Sequence, residues 1–176
     1  MIITQKKNVP RKALVNKYLP VNYKDIFECI IENTPIITAD DIQVAFWTVN
    51  PKWLKNLYRI RNTLVKPFGL KGDENKNAEE IERCIREATD YGLMSVPDKS
   101  ENETVLCLSD KHLSAHLSVY IESEGNRQII NVITLVKFHN WLGCAYFYAI
   151  CPFHHIVVRK MLKYAIKTCI GKDIRI

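Results

Sequence analysis

Glycine is scarce in this sequence, with six residues among 176, and the motifs that depend on glycine are missing. There is no Gly-rich loop to hold a phosphate with backbone amides, and no Gly-x-Ser-x-Gly turn to expose a nucleophilic serine. No cofactor fingerprint is complete, so no cofactor is expected. These absences argue against conventional nucleotide-dependent enzymes and against hydrolases with a serine elbow.

Paired cysteines are missing as well. The six cysteines, at positions 29, 84, 107, 144, 151 and 169, form neither a Cys-x-x-Cys pair nor a zinc-finger spacing. Most lie in apolar or helical runs, which is typical of reduced core residues and excludes a disulfide-stabilised scaffold. The N-terminus, Met-Ile-Ile-Thr-Gln-Lys-Lys, lacks the apolar stretch of a secretory signal. The sequence therefore predicts a cytoplasmic protein.

Length and composition predict one globular domain. The apolar fraction is 47% and the charged fraction 25%, and a domain of this size buries roughly 70% of its unfolded surface. Residues 1–20 are basic and interrupted by Pro10 and Pro20, which indicates an N-terminal arm. We expect the domain itself to occupy residues 21–172.

Acidic residues are nearly missing from the C-terminal end. Residues 125–176 carry eight Lys or Arg and one acid, whereas residues 73–124 carry five against thirteen. Residues 1–72 are also basic, with twelve Lys or Arg and five Asp or Glu. Two basic ends could meet an anionic membrane surface or nucleic acid, but separate solvated faces explain them more simply.

The first half of the domain reads as a strand followed by helices. Residues 22–31 are β-type, and Thr38 with Asp41 resembles a capping box that opens a short helix ending near Thr48. Asn50-Pro51 then predicts a second helix. Asn77 caps a third, acidic helix over residues 78–89.

The second helix, from Pro51 to Lys66, is amphipathic and basic. Such a helix could meet phosphate or anionic lipid, but a core-packed helix with a solvated basic face is the favoured interpretation. Nucleic acid binding is disfavoured, because Trp53 and Tyr58 are as well suited to a core as to base stacking.

The second half reads as strands followed by one long helix. Residues 112–122 alternate between apolar and polar side chains, which predicts an antiparallel strand with one solvated face. A helix begins after Asn140 and should kink or restart at Pro152. Weaker strands are expected at residues 92–96 and 103–109. The turn Glu124-Gly125-Asn126-Arg127 leads into another strand at residues 128–138, which is expected to form a hairpin with the strand before it. This order predicts an α+β fold with a curved antiparallel sheet wrapped around a long C-terminal helix.

The segment from Trp141 to Val158 approaches the length of a membrane span, roughly 20 residues. It contains Pro152 and two histidines, so we interpret it as a buried helix, with an interfacial helix as the alternative.

Histidine and aspartate supply the candidates for chemistry. We nominate Asp110, His112, His139 and His154 as possible acid–base residues, because an imidazole oriented by a carboxylate is a competent proton shuttle. A metal site is not expected. His112 and His116 would lie roughly 13 Å apart on a strand, and no ligand spacing for zinc occurs. The simpler interpretation is that these residues cap turns and helices or are satisfied in the core.

Aromatic and apolar residues of the C-terminal helix suggest the lining of a ligand cavity, although a plain core stripe has the same spacing. Together with polar groups that could orient a ligand, the predicted ligand-binding residues are Asn140, Trp141, Tyr146, Phe153, His154, Val157, Met161 and Tyr164.

The order and spacing of several short motifs over about residues 23–167 resemble those of an uncharacterised bacterial domain-of-unknown-function family. The motifs are Pro51-Lys-Trp53, Arg61-Asn62, Gly69-Leu70-Lys71, Asp110-Lys-His112-Leu113, Phe138-His139-Asn140-Trp-Leu-Gly143, Pro152-Phe153-His154 and Met161-Leu162. That family is similar to the START/SRPBCC helix-grip superfamily, in which a curved sheet grips a C-terminal helix over an apolar cavity. The resemblance implies a helix-grip domain but no established catalytic residues.

Three functions follow as hypotheses. The first is binding of a small hydrophobic or amphipathic molecule between the sheet and the C-terminal helix. The second is an enzyme that uses the nominated acid–base residues on such a molecule. The third is a peripheral membrane or partner-binding module that uses the basic helices.

Overall fold

Six strands and three helices make up the described part of this protein. The computed structural model describes residues 1–49, 51, 54 and 77–172. The strands are β1 (Ile3–Lys6), β2 (Tyr23–Glu32), β3 (Met94–Lys99), β4 (Glu103–Ser109), β5 (Leu113–Glu124) and β6 (Arg127–Phe138). The helices are α1 (Ala39–Thr48), α2 (Ala78–Glu87) and α3 (Trp141–Lys172), with a 3-10 helix at Leu14–Tyr18.

The strands form a single antiparallel sheet in the order β1-β2-β6-β5-β4-β3. Its centre is the hairpin of β5 and β6, which pair from Leu113 opposite Phe138 to Glu124 opposite Arg127. Gly125 in the connecting turn has a φ of +59°, a conformation that favours glycine. The hairpin predicted from the sequence is confirmed.

Side-chain caps set the starts of the two short helices. Thr38 Oγ1 accepts a hydrogen bond from Asp41 N at 3.2 Å, and Asp41 Oδ2 accepts one from Thr38 N at 3.3 Å, so the predicted capping box is present. Asn77 Oδ1 accepts from Glu79 N at 3.1 Å at the start of α2. α2 ends at Glu87 and is followed by Ala88, which has a left-handed φ of +52°.

Helices α1 and α3 cover one face of the sheet and form the main core with it. Phe27 of β2 and Val132 of β6 pack there against Ile42 of α1 and against Leu162 and Ile166 of α3, all of them fully buried. Burial of each such side chain contributes about 1.5–3 kcal/mol. We call this side of the sheet the helix face.

The N-terminal residues cover the other face. Ala13 and Val15 pack on Ile26, Ile133 and Leu135.

A buried carboxylate holds this covering segment in place. Glu103 Oε1 accepts from Val15 N at 3.1 Å and from Ser118 Oγ at 2.6 Å, and Leu14 N donates to the same carboxylate. The prediction of a solvated face on β5 is therefore wrong, since Ser118 and Tyr120 are buried under these residues.

The long C-terminal helix is confirmed, but it runs through Pro152 without interruption. Proline at 152 leaves the carbonyl of Tyr148 without its helical donor. Both residues are exposed, so solvent can satisfy that carbonyl and the helix continues.

The α+β class, the curved antiparallel sheet and the two short helices are confirmed, in a layout like that of a helix-grip fold. The predicted basic helix Pro51–Lys66 lies outside the described residues except for Pro51 and Leu54.

Candidate functional site

A layer of polar side chains lies between the sheet and α3. Tyr23 and Asp25 are two apart on β2 and project to the helix face, and Thr134 of β6 is directly opposite Asp25. His154 and His155 approach from α3. We call these five residues the Asp25 layer.

Asp25 is the centre of the layer, and its side chain is only 1% exposed. Its Oδ2 accepts a hydrogen bond from the Tyr23 hydroxyl at 2.8 Å. The same oxygen lies 3.1 Å from His154 Nε2 and 3.5 Å from His155 Nε2. A buried carboxylate with two adjacent imidazoles is an arrangement that can hold or move a proton.

Hydrogen-bond chemistry fixes the direction of a chain through the layer. An ionised Asp25 only accepts, so the Tyr23 hydroxyl donates to it. The Tyr23 oxygen must then accept from His155 Nε2, which is 2.6 Å away, and Nε2 of His155 carries the proton. His155 has a side chain 40% exposed, so the chain leads from solvent to a buried carboxylate.

The phenol of Tyr23 stays protonated in this environment. Burial raises its pKa well above the usual value, and the negative charge and hydrogen bond of Asp25 raise it further, with a smaller contribution from Cys151. Tyr23 is therefore a donor across the physiological pH range.

Two oxygens of the layer have no hydrogen-bond partner among the described residues. They are Asp25 Oδ1 and Thr134 Oγ1, both buried. His154 Nε2 is also without a well-oriented hydrogen bond, although it is within ion-pair distance of Asp25. An unpaired buried polar atom costs about 1–3 kcal/mol, and more when it is charged. The layer is thus incomplete on the side of Asp25 Oδ1.

Apolar residues lie on both sides of the layer. Phe147 of α3 packs with Leu113 and Val136 toward the start of the helix. Val158 and Leu162 pack with the main core toward its end.

Aromatic rings join the layer to this apolar surface. The ring of Tyr23 is 4.6 Å from that of Phe147, and the ring of His155 is 5.9 Å from that of Phe27. The environment is therefore amphipathic, with polar atoms between two apolar surfaces.

Three of the four nominated acid–base residues meet elsewhere. Asp110 Oδ1 accepts from His112 N at 2.7 Å and from Leu113 N at 2.9 Å, which closes the turn before β5. His139 lies 3.0 Å from Ser114 Oγ through Nε2 and 3.1 Å from the Asp110 carbonyl through Nδ1. These contacts join β5 to the end of β6.

Asn140 belongs to the same cluster. Its Oδ1 accepts from Gly143 N at 3.1 Å and lies 3.3 Å from His112 Nδ1, and its Nδ2 donates to the Lys111 carbonyl at 3.0 Å. Asn140 thus caps α3. The fourth nominated residue, His154, lies 14 residues along α3, roughly 21 Å away at 1.5 Å per residue.

The predicted ligand-binding residues of α3 are spread around the helix. Met161 is fully buried, and Tyr146, Phe153 and Val157 are partly buried. Trp141 and Tyr164 are exposed, so the structure does not bring them toward the sheet. His154 is the one predicted site residue in the Asp25 layer.

Sequence reasoning missed Tyr23, Asp25, Thr134 and His155. The signal was a charged residue in the inward row of β2, where Asp25 lies between Tyr23 and Phe27 on the same face. A carboxylate at such a position is seldom fully buried without a partner.

An open surface depression of about 750 Å³ lies on the opposite face of the sheet, between the N-terminal residues and the ends of β5 and β6. Its lining includes Lys17, Tyr18, His116, Lys137 and His139. Among the described residues, no group of three or more His, Cys, Asp or Glu is placed to hold a metal ion.

Comparison with protein families decides the relationship of this chain. The sequence profile of a family described as "Protein of unknown function (DUF2867)" matches residues 19–161. The chain belongs to the DUF2867 family. All five residues of the Asp25 layer lie within the DUF2867 match, whereas residues 1–18 and the last turns of α3 lie outside it. A comparison with curated proteins found no match.

Proposed function

We propose that this DUF2867 protein binds a small amphipathic molecule between β2, β6 and α3, with the polar group of that molecule on the Asp25 layer. The observation that carries the proposal is that the buried Oδ1 of Asp25 has no hydrogen-bond partner in the described part of the chain. A ligand that donates a hydrogen bond to this oxygen removes the cost of leaving it unpaired.

The layer selects the chemistry of the ligand. Asp25 Oδ1 requires a donor, such as a hydroxyl, an amine or an amide N–H. Thr134 Oγ1, opposite Asp25 in the register, can donate to or accept from the same group. The rest of the ligand would contact apolar surface around Phe147, where each Å² removed from water contributes about 25 cal/mol.

The first half of α3 offers a route to the layer. Between Trp141 and Val158, the fully buried residues are Gly143, Phe147 and Val158, so Phe147 is the one large, fully buried apolar side chain of α3 before the Asp25 layer. Movement of this one aromatic anchor would open the space between α3 and β6. Local opening of this kind is expected where few apolar side chains are buried.

A matched pair of probes tests the proposal. Binding of 1-octanol and of octyl methyl ether to the purified protein is measured by calorimetry, since these differ by one hydroxyl donor. The wild type should bind the alcohol about tenfold more tightly. Asp25→Asn should lose this preference.

Glu28→Gln serves as the control variant. Glu28 is on the same strand but faces away from α3 and pairs with Lys6 at 3.0 Å, so this variant should keep the preference for the alcohol. Equal affinity of the wild type for the two probes, or an unchanged preference in Asp25→Asn, would contradict the proposal.

A second candidate function is acid–base catalysis on the bound molecule. The observation that favours it is the chain from His155 through Tyr23 to Asp25. Tyr23→Phe removes the middle hydroxyl and keeps the ring. Conversion of a bound molecule by the wild type, with a pH profile that changes in Tyr23→Phe, would support catalysis. Unchanged recovery of every bound molecule would leave binding as the function.

A further inference from the structure

Helix α3 changes character along its length. Residues 141–158 contain no Asp, Glu, Lys or Arg, and α3 is long and apolar enough to cross a membrane by length and composition. A helix that is apolar on all sides is normally buried in a core or a membrane. In this structure only 17% of the apolar window is fully buried and most of its residues are partly buried, which leaves several large apolar side chains in contact with solvent.

The exposed apolar residues fall on one side of the helix. Trp141 is 74% exposed, Tyr148 55% and Ile156 46%, and Pro152 is exposed as well. At 100° per residue these four positions span an arc of about 80° and a length of about 23 Å. We call these four residues the outer stripe.

Basic residues continue the outer stripe toward the C-terminus. Lys163 and Lys167 are exposed and lie on the same side of the helix by the same geometry. Residues 125–172 contain no acidic residue. Aromatic and aliphatic residues followed by lysines are typical of a helix that lies in the surface of an anionic bilayer.

The side of α3 that packs on the sheet rules out a spanning orientation for this fold. Phe147, Val158 and Leu162 pack on the sheet, and His154 and His155 contact Asp25. A helix that crossed the bilayer would have to leave all of these contacts. A helix lying in the interface keeps them and buries only the outer stripe.

We propose that this protein docks on anionic phospholipid membranes through the outer stripe of α3, with Lys163 and Lys167 over the lipid headgroups. The aromatic rings and Ile156 enter the boundary between headgroups and acyl chains, and the lysines add attraction to negative lipid. This proposal does not depend on ligand binding at the Asp25 layer, because none of the residues involved belongs to that layer.

Flotation of the full chain with vesicles tests the proposal. Vesicles of phosphatidylcholine alone are compared with vesicles that contain about 30% phosphatidylserine, at low salt and at physiological salt. The wild type should bind the anionic vesicles at least about tenfold more strongly at low salt, and salt should weaken the binding.

Two double variants separate the contribution of the aromatic residues to membrane binding from that of the lysines. Trp141→Ser with Tyr148→Ser should reduce binding to anionic vesicles at least tenfold. Lys163→Glu with Lys167→Glu should remove the preference for phosphatidylserine. All four positions are exposed, so folding should be preserved, and circular dichroism checks this.

Matched control variants change exposed apolar and basic residues outside the proposed docking surface. Ile36→Ser changes an apolar side chain that is 84% exposed and lies outside α3, and Lys12→Glu with Lys24→Glu changes exposed lysines on the face of the sheet that α3 does not cover. Both should bind nearly as the wild type does. No binding to either vesicle, or equal loss in the controls, would overturn the proposal. A dimer in sedimentation that dissociates in Trp141→Ser with Tyr148→Ser would assign the stripe to a second copy of the chain and overturn it as well.

Discussion

At the scale of single residues, the buried hydroxyls of Thr104 and Thr134, both on the helix face, differ in their hydrogen bonding. Thr104 of β4 donates from Oγ1 to Asp40 Oδ1 at 2.6 Å and is fully buried. Thr134 of β6 is buried without a partner among the described residues. Because a satisfied hydroxyl stabilises and an unsatisfied one destabilises, these two threonines report on whether the Asp25 layer is incomplete in the ligand-free protein.

We predict opposite effects for the same substitution at these positions. Thr134→Val removes an unpaired hydroxyl and should leave the free energy of unfolding unchanged or raise it by about 1 kcal/mol. Thr104→Val should lower it by about 1–3 kcal/mol, because Asp40 loses a donor. Urea denaturation of ligand-free protein measures both. A larger loss in Thr134→Val than in Thr104→Val would show that Thr134 is already paired.

At the scale of elements, local patterns predicted most boundaries and long-range contacts explain the misses. The sequence predicted β4 over residues 103–109 and the capping box of Thr38 because turn signals and caps are local. The burial of the outer face of β5 depends on Glu103 and Val15, which are 88 residues apart. No periodicity within β5 contains that information.

Only part of the candidate site was predictable, because its residues come from positions far apart in the sequence. His154 was nominated from the sequence, but Asp25 lies more than a hundred residues earlier, on a strand whose pairing with β6 creates the layer. The nominated cluster of Asp110, His112 and His139 does come together, and its hydrogen bonds hold β5, β6 and the start of α3 in place.

Gly143 tests this junction between elements. A Cβ built at Gly143 would lie 2.2 Å from the carbonyl oxygen of His112, a backbone atom that cannot move aside easily. Gly143→Ala should therefore lower the free energy of unfolding by about 1–3 kcal/mol or more. Chemical denaturation measures the effect.

Gly171 provides the control in the same helix. A Cβ at Gly171 meets nothing within 4 Å, so Gly171→Ala should be neutral or stabilise by up to about 1 kcal/mol. If Gly143→Ala were as well tolerated as Gly171→Ala, the close approach of α3 to β5 would be wrong.

At the scale of the whole molecule, the sheet has a different cover on each face. Helices cover the face that carries the Asp25 layer, and residues from the N-terminal end cover the other. The N-terminal residues are therefore part of the fold of this chain, although residues 1–18 lie outside the DUF2867 match.

Two neighbouring residues test that cover. Val15 is fully buried against the sheet, whereas Leu14 is at the surface. Val15→Ala should lower the free energy of unfolding by about 1–3 kcal/mol, and Leu14→Ala by about 0.5 kcal/mol or less. Thermal or urea unfolding compares them. Equal effects would mean that this segment does not pack on the sheet in solution.

The most direct measurement of the central claim is mass spectrometry of the purified wild-type protein under native and denaturing conditions. Binding at the Asp25 layer predicts a defined extra mass that is lost on denaturation and belongs to an amphipathic molecule with a hydroxyl, amine or amide donor. The same extra mass should be reduced in Asp25→Asn and kept in Glu28→Gln. A wild-type mass equal to that of the bare chain, together with no preference for 1-octanol over its methyl ether, would contradict the claim.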